Sequence, residues 1–107
     1  MSLRIGLHTG PQDTSYQDLR KLWRIADSSS FYWISLWDHF YESPTRDYKG
    51  DCFEALTTLA ALAVETTNVR VGCLVFAIGY RNPALLAKAA VTIDHISDGR
   101  VELGIGG

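Results

Sequence analysis

Hydrophobic and polar positions along the chain follow two alternating periods, one typical of strands and one typical of helices. Residues 3–8 alternate between apolar and other side chains, which predicts a first strand. The aromatic and β-branched run 31–37 predicts a second strand, and 101–105 predicts a fourth. Residues 69–77 are almost continuously apolar once past Arg70 and predict a third strand, of the kind buried on both faces in a parallel sheet.

A helix is predicted between the first two strands. Thr14 or Ser15 is placed to cap its start, with Asp18 three residues after Ser15 as in a capping box. The serine run 28–30 ends it. The apolar positions that share one face at helical spacing are Tyr16, Leu19, Leu22, Trp23 and Ala26.

Two further helices are predicted in the same way. A polar loop over 38–50 follows the second strand, and its length is typical of functional loops. Asp51 is a candidate cap, with Glu54 three residues on, for a helix over the apolar run 53–64. Asn82-Pro83 supplies a cap and first helical position for the last helix, which stops at Asp98-Gly99.

The order β-α-β-α-β-α-β predicts an α/β protein with parallel strands joined by right-handed crossovers. Two architectures remain open: a doubly wound sheet covered by helices on both faces, and a part of a (βα)8 barrel. A complete barrel needs about 250 residues, so these 107 residues would form a single partial-barrel domain, roughly half of one. Such a piece leaves a sheet face and two edges open, and we expect it to associate, to belong to a longer parent or to refold into an open sandwich.

Composition and charge exclude several classes of partner. The chain is 47% hydrophobic and 21% charged with a formal net charge of -2, which is an ordinary globular balance without the basic excess of a nucleic-acid binder. No apolar run approaches about 18 residues, so we expect no membrane span. The N-terminus lacks the apolar core of a signal peptide, and Cys52 and Cys73 read as buried reduced thiols. A cytoplasmic protein is therefore predicted.

Candidate chemistry lies at the carboxyl ends of the strands, where barrels and doubly wound sheets place their sites. His8 ends the first strand and Asp38-His39 follows the second. Histidine side chains ordinarily change charge near neutral pH, so His39 can act as a general acid or base, or donate a hydrogen bond to a bound ring, while Asp38 can accept a hydrogen bond from a ligand. The alternative is structural: Asp38 caps the loop and His39 only satisfies it. Arg81, after the third strand, either binds a phosphate or carboxylate or makes an ordinary surface ion pair.

Other motifs carry less. His95 beside Asp94 in the last helix favours a structural role. The final glycines permit close backbone approach of a ligand, but they end before a second helix and make no dinucleotide fingerprint. The sequence shows no metal-ligand spacing, and the first turn, 6–10, has neither the acidic cluster nor the glycines of a response regulator or nucleotide-binding domain.

Four stretches resemble a known family: Trp37 to Phe40, Val71 to Val75, Tyr80 to Lys88, and Thr92 to Gly106. They are similar to the bacterial luciferase-like monooxygenase superfamily, in its flavin- or deazaflavin-dependent (coenzyme F-420 or FMN) oxidoreductase branch. The resemblance covers the whole chain and implies the N-terminal portion of a (βα)8 barrel that continues past the final glycines. It also implies hydride transfer or oxygenation of a small organic substrate.

The resemblance assigns roles to individual residues. Asp38 would contact the cofactor ring, and His39 would be the catalytic proton-transfer or electrostatic residue. Leu74-Val75 would form a bulge with a non-proline cis peptide against the back of the ring.

Strands one and four receive roles as well. His8 would line the substrate side, and Gly104 and Gly106 would let the cofactor approach strand four. The resemblance further implies a homo-oligomer. The alternative from another class is a non-catalytic half-barrel that self-associates through its exposed sheet, and the 107 residues alone are expected to bind cofactor weakly without turnover.

Overall fold

A computed structural model of the protein describes residues 2–44, 47 and 49–107. Within those residues the chain alternates between strands and helices, as the hydrophobic pattern predicts. In chain order the elements are β1 (Gly6–His8), α1 (Tyr16–Asp27), β2 (Trp33–Leu36), α2 (Ala55–Glu65), β3 (Arg70–Cys73), β4 (Phe76–Ala77), α3 (Pro83–Ile96), β5 (Val101–Glu102) and β6 (Ile105–Gly106).

The main sheet is parallel, with strand order β1-β2-β3-β5. Its register places Leu7 beside Ile34, Ile34 beside Val71, and Val71 beside Val101. A second, two-stranded parallel sheet pairs β4 with β6. The predicted α/β class with parallel strands is therefore confirmed.

The predicted third and fourth strands are each divided in two, which corrects the expectation of continuous strands over 69–77 and 101–105. The Leu74 N–H still bonds to the Leu36 carbonyl at 2.8 Å, but the Phe76 N–H bonds to the Gly104 carbonyl at 2.9 Å. The third strand thus leaves β2 after Leu74 and pairs only with the last strand. The first strand is shorter than predicted, because only 6–8 pair in register with β2.

Two helix starts match their predictions. The Ser15 hydroxyl accepts the Asp18 N–H at 3.1 Å and caps α1. The Asn82 side chain accepts the Ala84 N–H at 2.8 Å, with Pro83 at the first position of α3. Both caps satisfy backbone N–H groups that a helix start leaves unpaired.

The start of α2 was predicted wrongly: Glu54, not Asp51, is its cap. Residues 51–53 are extended because their backbone pairs with the segment after β1. The Asp13 N–H bonds to the Asp51 carbonyl at 2.9 Å, and the Phe53 N–H bonds to the Pro11 carbonyl at 2.7 Å. The helix can begin only after this pairing ends. Within the predicted loop 38–50, Thr45, Arg46 and Tyr48 lie outside the described residues.

Helices α1, α2 and α3 pack on one face of the main sheet. Ile34 and Val71 point into the same core as Trp23 of α1, Leu59 of α2 and Ile93 of α3. A doubly wound sheet would carry helices on both faces, so the arrangement is that of a barrel wall. The remaining buried hydrophobic members of this core are Leu19, Ala26, Leu36, Ala55, Leu62, Ala63, Val69, Cys73, Phe76 and Leu86.

Arg100 fastens the end of α2 to the strand that follows it. Its guanidinium donates to the backbone carbonyls of residues 63, 66, 69 and 97 at 2.7–2.9 Å, and to the Thr66 hydroxyl at 3.0 Å. Burial lowers the pKa of Arg100. Carbonyls at a helix end favour a cation, so this side chain closes the C-terminal end of α2.

Asp27, at the end of α1, grips the turn that leads into β3. Its carboxylate accepts the backbone N–H groups of Thr67, Asn68 and Val69 at 2.7–3.0 Å. Burial opposes ionisation of Asp27, but these three hydrogen bonds outweigh it and lower its pKa. Across the described part of the chain, the helices are too short or too polar to cross a bilayer.

Candidate functional site

A concave region of about 310 Å³ lies where β2 and β3 end. It brings Asp38 and His39, which follow β2, together with Leu74 and Val75, which follow β3. The other lining residues are Trp37, Ala77, Tyr80 and Gly107. Parallel strands end at the same edge of a sheet, which is why residues nearly 40 positions apart share this concavity.

The Leu74-Val75 peptide is cis, as the resemblance implies. Both side chains are partly exposed. Trp37 and Tyr80 line the concavity beside them, and the exposed His39 adds a polar side chain, whereas the Asp38 carboxylate is enclosed. Apolar walls with a few polar groups are typical of a small-molecule site.

Asp38 and Arg81 form a buried ion pair. Arg81 Nη1 donates to Asp38 Oδ2 at 2.7 Å and Nη2 donates to Oδ1 at 2.8 Å. The Arg81 side chain is 8% exposed and the Asp38 side chain is 1% exposed. Asp38 Oδ2 also accepts the Ala77 N–H at 2.9 Å. Arg81 therefore does form an ion pair, but the pair is enclosed and not on the surface, so the interpretation as an ordinary surface ion pair is wrong.

Glu54 is a second carboxylate on Arg81. Arg81 Nε donates to Glu54 Oε2 at 3.1 Å, and Nη2 donates to the same oxygen. Glu54 also caps α2 by accepting the Leu56 and Thr57 N–H groups at 3.0 and 2.7 Å. Burial opposes ionisation of Glu54, but the hydrogen bonds from Thr57, Arg81 and Leu56 outweigh it and lower its pKa to about 2.

The Asp38 carboxylate raises the pKa of Arg81, which stays charged. The Arg81 guanidinium carbon also lies 5.3 Å from the centre of the Phe76 ring, a cation–π contact in the core. One arginine thus joins the end of β2, the start of α2 and the loop before α3.

His39 is exposed, and its imidazole has no hydrogen-bond partner among the residues that the structure describes. The alternative in which His39 satisfies Asp38 is therefore wrong, although Asp38 does cap the loop at Ala77. The His39 carbonyl accepts the Cys52 thiol at 3.0 Å. Beside it, the Phe40 ring stacks on Tyr80 with ring centres 4.1 Å apart.

His8 lies next to this concavity but does not line it. Its Nδ1 is 2.7 Å from the buried Ser35 hydroxyl oxygen, and its ring centre is 5.2 Å from that of Trp37. A neighbouring concave region of about 410 Å³, lined in part by Trp33, shares Leu74 with the first. The role of His8 on the substrate side stays a prediction.

Gly104 and Gly106 are required by close packing within the chain. A Cβ at Gly104 would lie 2.6 Å from the Cys73 carbonyl oxygen, and one at Gly106 would lie 2.6 Å from Val75 Cγ2. Both distances are shorter than real Cβ contacts. These glycines therefore have a structural reason of their own, and their contact with a cofactor stays a prediction.

His95 and the two cysteines do not line the concavity. His95 lies in the last turn of α3. Both cysteines are free, and burial raises the pKa of the Cys73 thiol to about 12. Among residues 2–44, 47 and 49–107, no group of three or more His, Cys, Asp or Glu side chains is placed to hold a metal ion.

No role was predicted from the sequence for Trp37, which the structure places on the lining of the concavity. A usable signal was present, because Trp37 directly precedes Asp38-His39. Aromatic residues beside the ends of parallel strands favour a binding surface for a flat molecule.

Comparison with known proteins gives one family and a consistent fold. The family model described as luciferase-like monooxygenase matches residues 1–107. An F420-dependent glucose-6-phosphate dehydrogenase of Kribbella flavida is 32% identical over 107 residues, which are 99% of this chain and 31% of that protein. The chain thus spans about a third of the length of this curated relative.

Two solved structures share the fold. An F420-dependent secondary alcohol dehydrogenase, in complex with an F420-acetone adduct, superposes with a TM-score of 0.82 and 21% identity over 99% of this chain and 32% of that one. The oxygenating constituent of 3,6-diketocamphane monooxygenase of Pseudomonas putida, in complex with FMN, superposes with a TM-score of 0.76 and 23% identity. The match covers 98% of this chain and 29% of that one.

Proposed function

Because this chain belongs to the luciferase-like monooxygenase family, we propose that it forms one wall of a flavin or deazaflavin site in an oxidoreductase. The reaction is hydride transfer to or from a small organic substrate, or its oxygenation. The observation that carries the proposal is the shared concavity of His39 and the Leu74-Val75 peptide. Residues 1–107 act in it as a single partial-barrel unit.

The residues present fit such a cofactor. A volume of about 310 Å³ lies at the lower end of the range for small-molecule sites, about 300–1,000 Å³. Its apolar side chains, Trp37, Leu74 and Val75, suit the faces of a flat ring. Leu74 and Val75 would hold a ring face, and His39 would lie at the ring edge. The Asp38 carboxylate is held by Arg81 and Ala77, and its contact with the ring stays a prediction.

When bound, a flavin or deazaflavin supplies the hydride or the reactivity toward oxygen. This chain's own contribution is to bind, orient and move a proton. The His39 imidazole is free to give or take a proton at its ring nitrogens, since no described side chain occupies them. Leu74 and Val75 exclude water from the ring face that they cover.

A binding titration tests the proposal. FMN and coenzyme F-420 are each titrated into the 107-residue chain, with cofactor fluorescence as the readout. We expect measurable but weak binding, with a Kd above the micromolar range and no turnover, because a ring held on one side must offset the full entropy cost of association. A micromolar or tighter Kd would overturn the weak-binding expectation.

A pair of variants locates the site. Val75→Asp places a charge on the proposed ring face and should abolish the fluorescence change. Ile78→Asp is the matched control, because Ile78 is also an exposed apolar residue but does not line the concavity. Equal binding by both variants would place the cofactor elsewhere.

We also propose a cytoplasmic setting and a small-molecule substrate. Cys52 and Cys73 are both free thiols, which suits a reducing compartment. The concavity has the size of a small molecule rather than of a macromolecule.

A second candidate function is assembly. Helices α1, α2 and α3 lie on one face of the sheet, and apolar side chains are exposed next to its two outer strands, including Leu3, Ile5, Leu103 and Ile105. Unpaired strand edges favour pairing with another chain. We propose that the 107-residue chain self-associates, which light scattering coupled to size exclusion would detect as a dimer or larger. A monomer with a cooperative thermal transition would contradict it.

A further inference from the structure

The backbone around His39 is held on both sides, while its imidazole is left without a described partner. The residue before it, Asp38, and the residue after it, Phe40, both contact the segment 77–81. The Cys52 thiol holds the His39 carbonyl from a third direction. His39 thus lines the concavity, and among the residues that the structure describes its ring nitrogens have no hydrogen-bond partner.

The strongest of these attachments is the Asp38-Arg81 pair. Arg81 uses two nitrogens on two oxygens of Asp38, and its Nε and Nη2 also contact Glu54. A fork of this kind fixes the carboxylate in direction as well as distance. The same carboxylate accepts the Ala77 N–H, so the turn after β2 and the segment after the cis peptide move together.

We propose that Arg81 is a positioning residue for His39, setting its imidazole against the Leu74-Val75 face through Asp38 and Ala77. This inference rests on the proposed function, because it assigns Arg81 to the same site. The Arg81 side chain is 8% exposed, and its nitrogens are already bonded to the carboxylates of Asp38 and Glu54. It acts through Asp38 rather than on the ligand itself.

The geometry makes a lysine a poor substitute. Lys keeps the positive charge but offers a single nitrogen, so it cannot hold both Asp38 oxygens and Glu54 in one plane. Arg81→Lys therefore keeps the positive charge but removes the two-nitrogen contact with the Asp38 carboxylate. Arg70→Lys is the matched control, since Arg70 pairs with Glu102 at the opposite end of β3.

The test uses the imidazole signals of the three histidines in the cofactor-free protein, recorded by NMR across a pH titration. We expect Arg81→Lys to move or broaden the His39 signals and leave those of His8 and His95 in place. Arg70→Lys should move none of the three. Loss of stability alone would not produce this pattern, because the remaining folded molecules would still give the wild-type His39 signal. An unchanged His39 signal in Arg81→Lys would overturn the inference.

A second variant keeps the test informative if Arg81→Lys folds poorly. Glu54→Gln removes the charge of the second carboxylate on Arg81 and leaves Asp38, His39 and Phe40 unchanged, and we expect it to shift the His39 signals in the same direction. The Ala77 amide provides a further readout: Arg81→Lys should speed its hydrogen exchange by about tenfold as the bond to Asp38 loosens. Wild-type exchange at Ala77 in that variant would count against the link.

Adding FMN separates this inference from the proposed function. If His39 responds to Arg81→Lys but no protein signal responds to FMN or coenzyme F-420, the positioning link stands and the cofactor proposal fails. If cofactor shifts the His39 signal identically in wild type and Arg81→Lys, the cofactor proposal stands and the positioning link fails.

Discussion

The Asp38 carboxylate and the Arg81 guanidinium meet through two parallel hydrogen bonds of 2.7 and 2.8 Å. They join the second residue after β2 to the residue that precedes the cap of α3, across 43 positions of sequence. Both are enclosed, so their charges depend on one another rather than on water. The rim of the concavity is therefore held together by an electrostatic contact inside the molecule.

Removing one partner of this pair should be costly. Arg81→Met leaves the Asp38 charge buried with only the Ala77 N–H, and we expect a loss of about 3–5 kcal/mol in the free energy of unfolding. Urea denaturation at neutral pH measures it. Arg70→Met breaks the more exposed pair with Glu102, where about 0–1 kcal/mol is expected. Similar losses in the two variants would show that the enclosure of Arg81 has no energetic effect.

Gly104 should tolerate no side chain even without cofactor. Gly104→Ala puts a methyl group 2.6 Å from the Cys73 carbonyl oxygen, a backbone atom that cannot rotate away. We expect a loss of about 1–3 kcal/mol in unfolding free energy. Gly79→Ala is the control, because a Cβ there meets nothing within 4 Å. A neutral Gly104→Ala would mean that the last strand shifts freely.

Stability should fall in acid through Glu54. Its pKa is 4.5 when unperturbed and about 2 in the folded protein. A lowered folded pKa stabilises the fold above pH 4.5, and this contribution is lost as the pH falls from 4.5 toward 2. In Glu54→Gln that contribution is absent. We therefore expect the difference in unfolding free energy between wild type and Glu54→Gln to shrink over this interval, and a constant difference would contradict it.

The two thiols should react at different rates with a disulfide reagent. Cys73 is buried with a pKa of about 12, so almost no thiolate is present at mildly alkaline pH. Burial also raises the pKa of Cys52, but that residue is only partly buried. We expect the native protein to release about one equivalent of the reagent's thiol per chain, from Cys52. Cys52→Ser should react only after denaturation. Fast labelling of native Cys52→Ser would contradict the enclosed position of Cys73.

The elements specified by neighbouring residues were predictable from the sequence. Ser15 and Asn82 cap helices through groups two or three positions away, and local patterning is enough to locate them. The cap of α2 was not, because Asp51 is drawn into backbone pairing with Asp13, far away in sequence. The division of the third strand after Leu74 has the same origin, since it depends on the Phe76 pairing with Gly104.

The site shows the same limit. Strand ends and the family resemblance identified Asp38, His39 and Leu74-Val75, and the structure brings them to one concavity. The partner of Arg81 could not be found this way, because a charged side chain after a strand has several carboxylates within reach. Only the fold selects Asp38 and Glu54 as the groups that enclose it.

The two edge strands of the main sheet, β1 and β5, determine how copies of this chain would pair with one another. β1 and β5 lie at opposite sides of the sheet and run in the same direction. A parallel ladder between copies must therefore join the β1 of one to the β5 of the next, which is a head-to-tail contact. Each added copy presents a fresh flank, so growth ends only when the curvature closes a ring, and a wall that fails to close would extend into a filament.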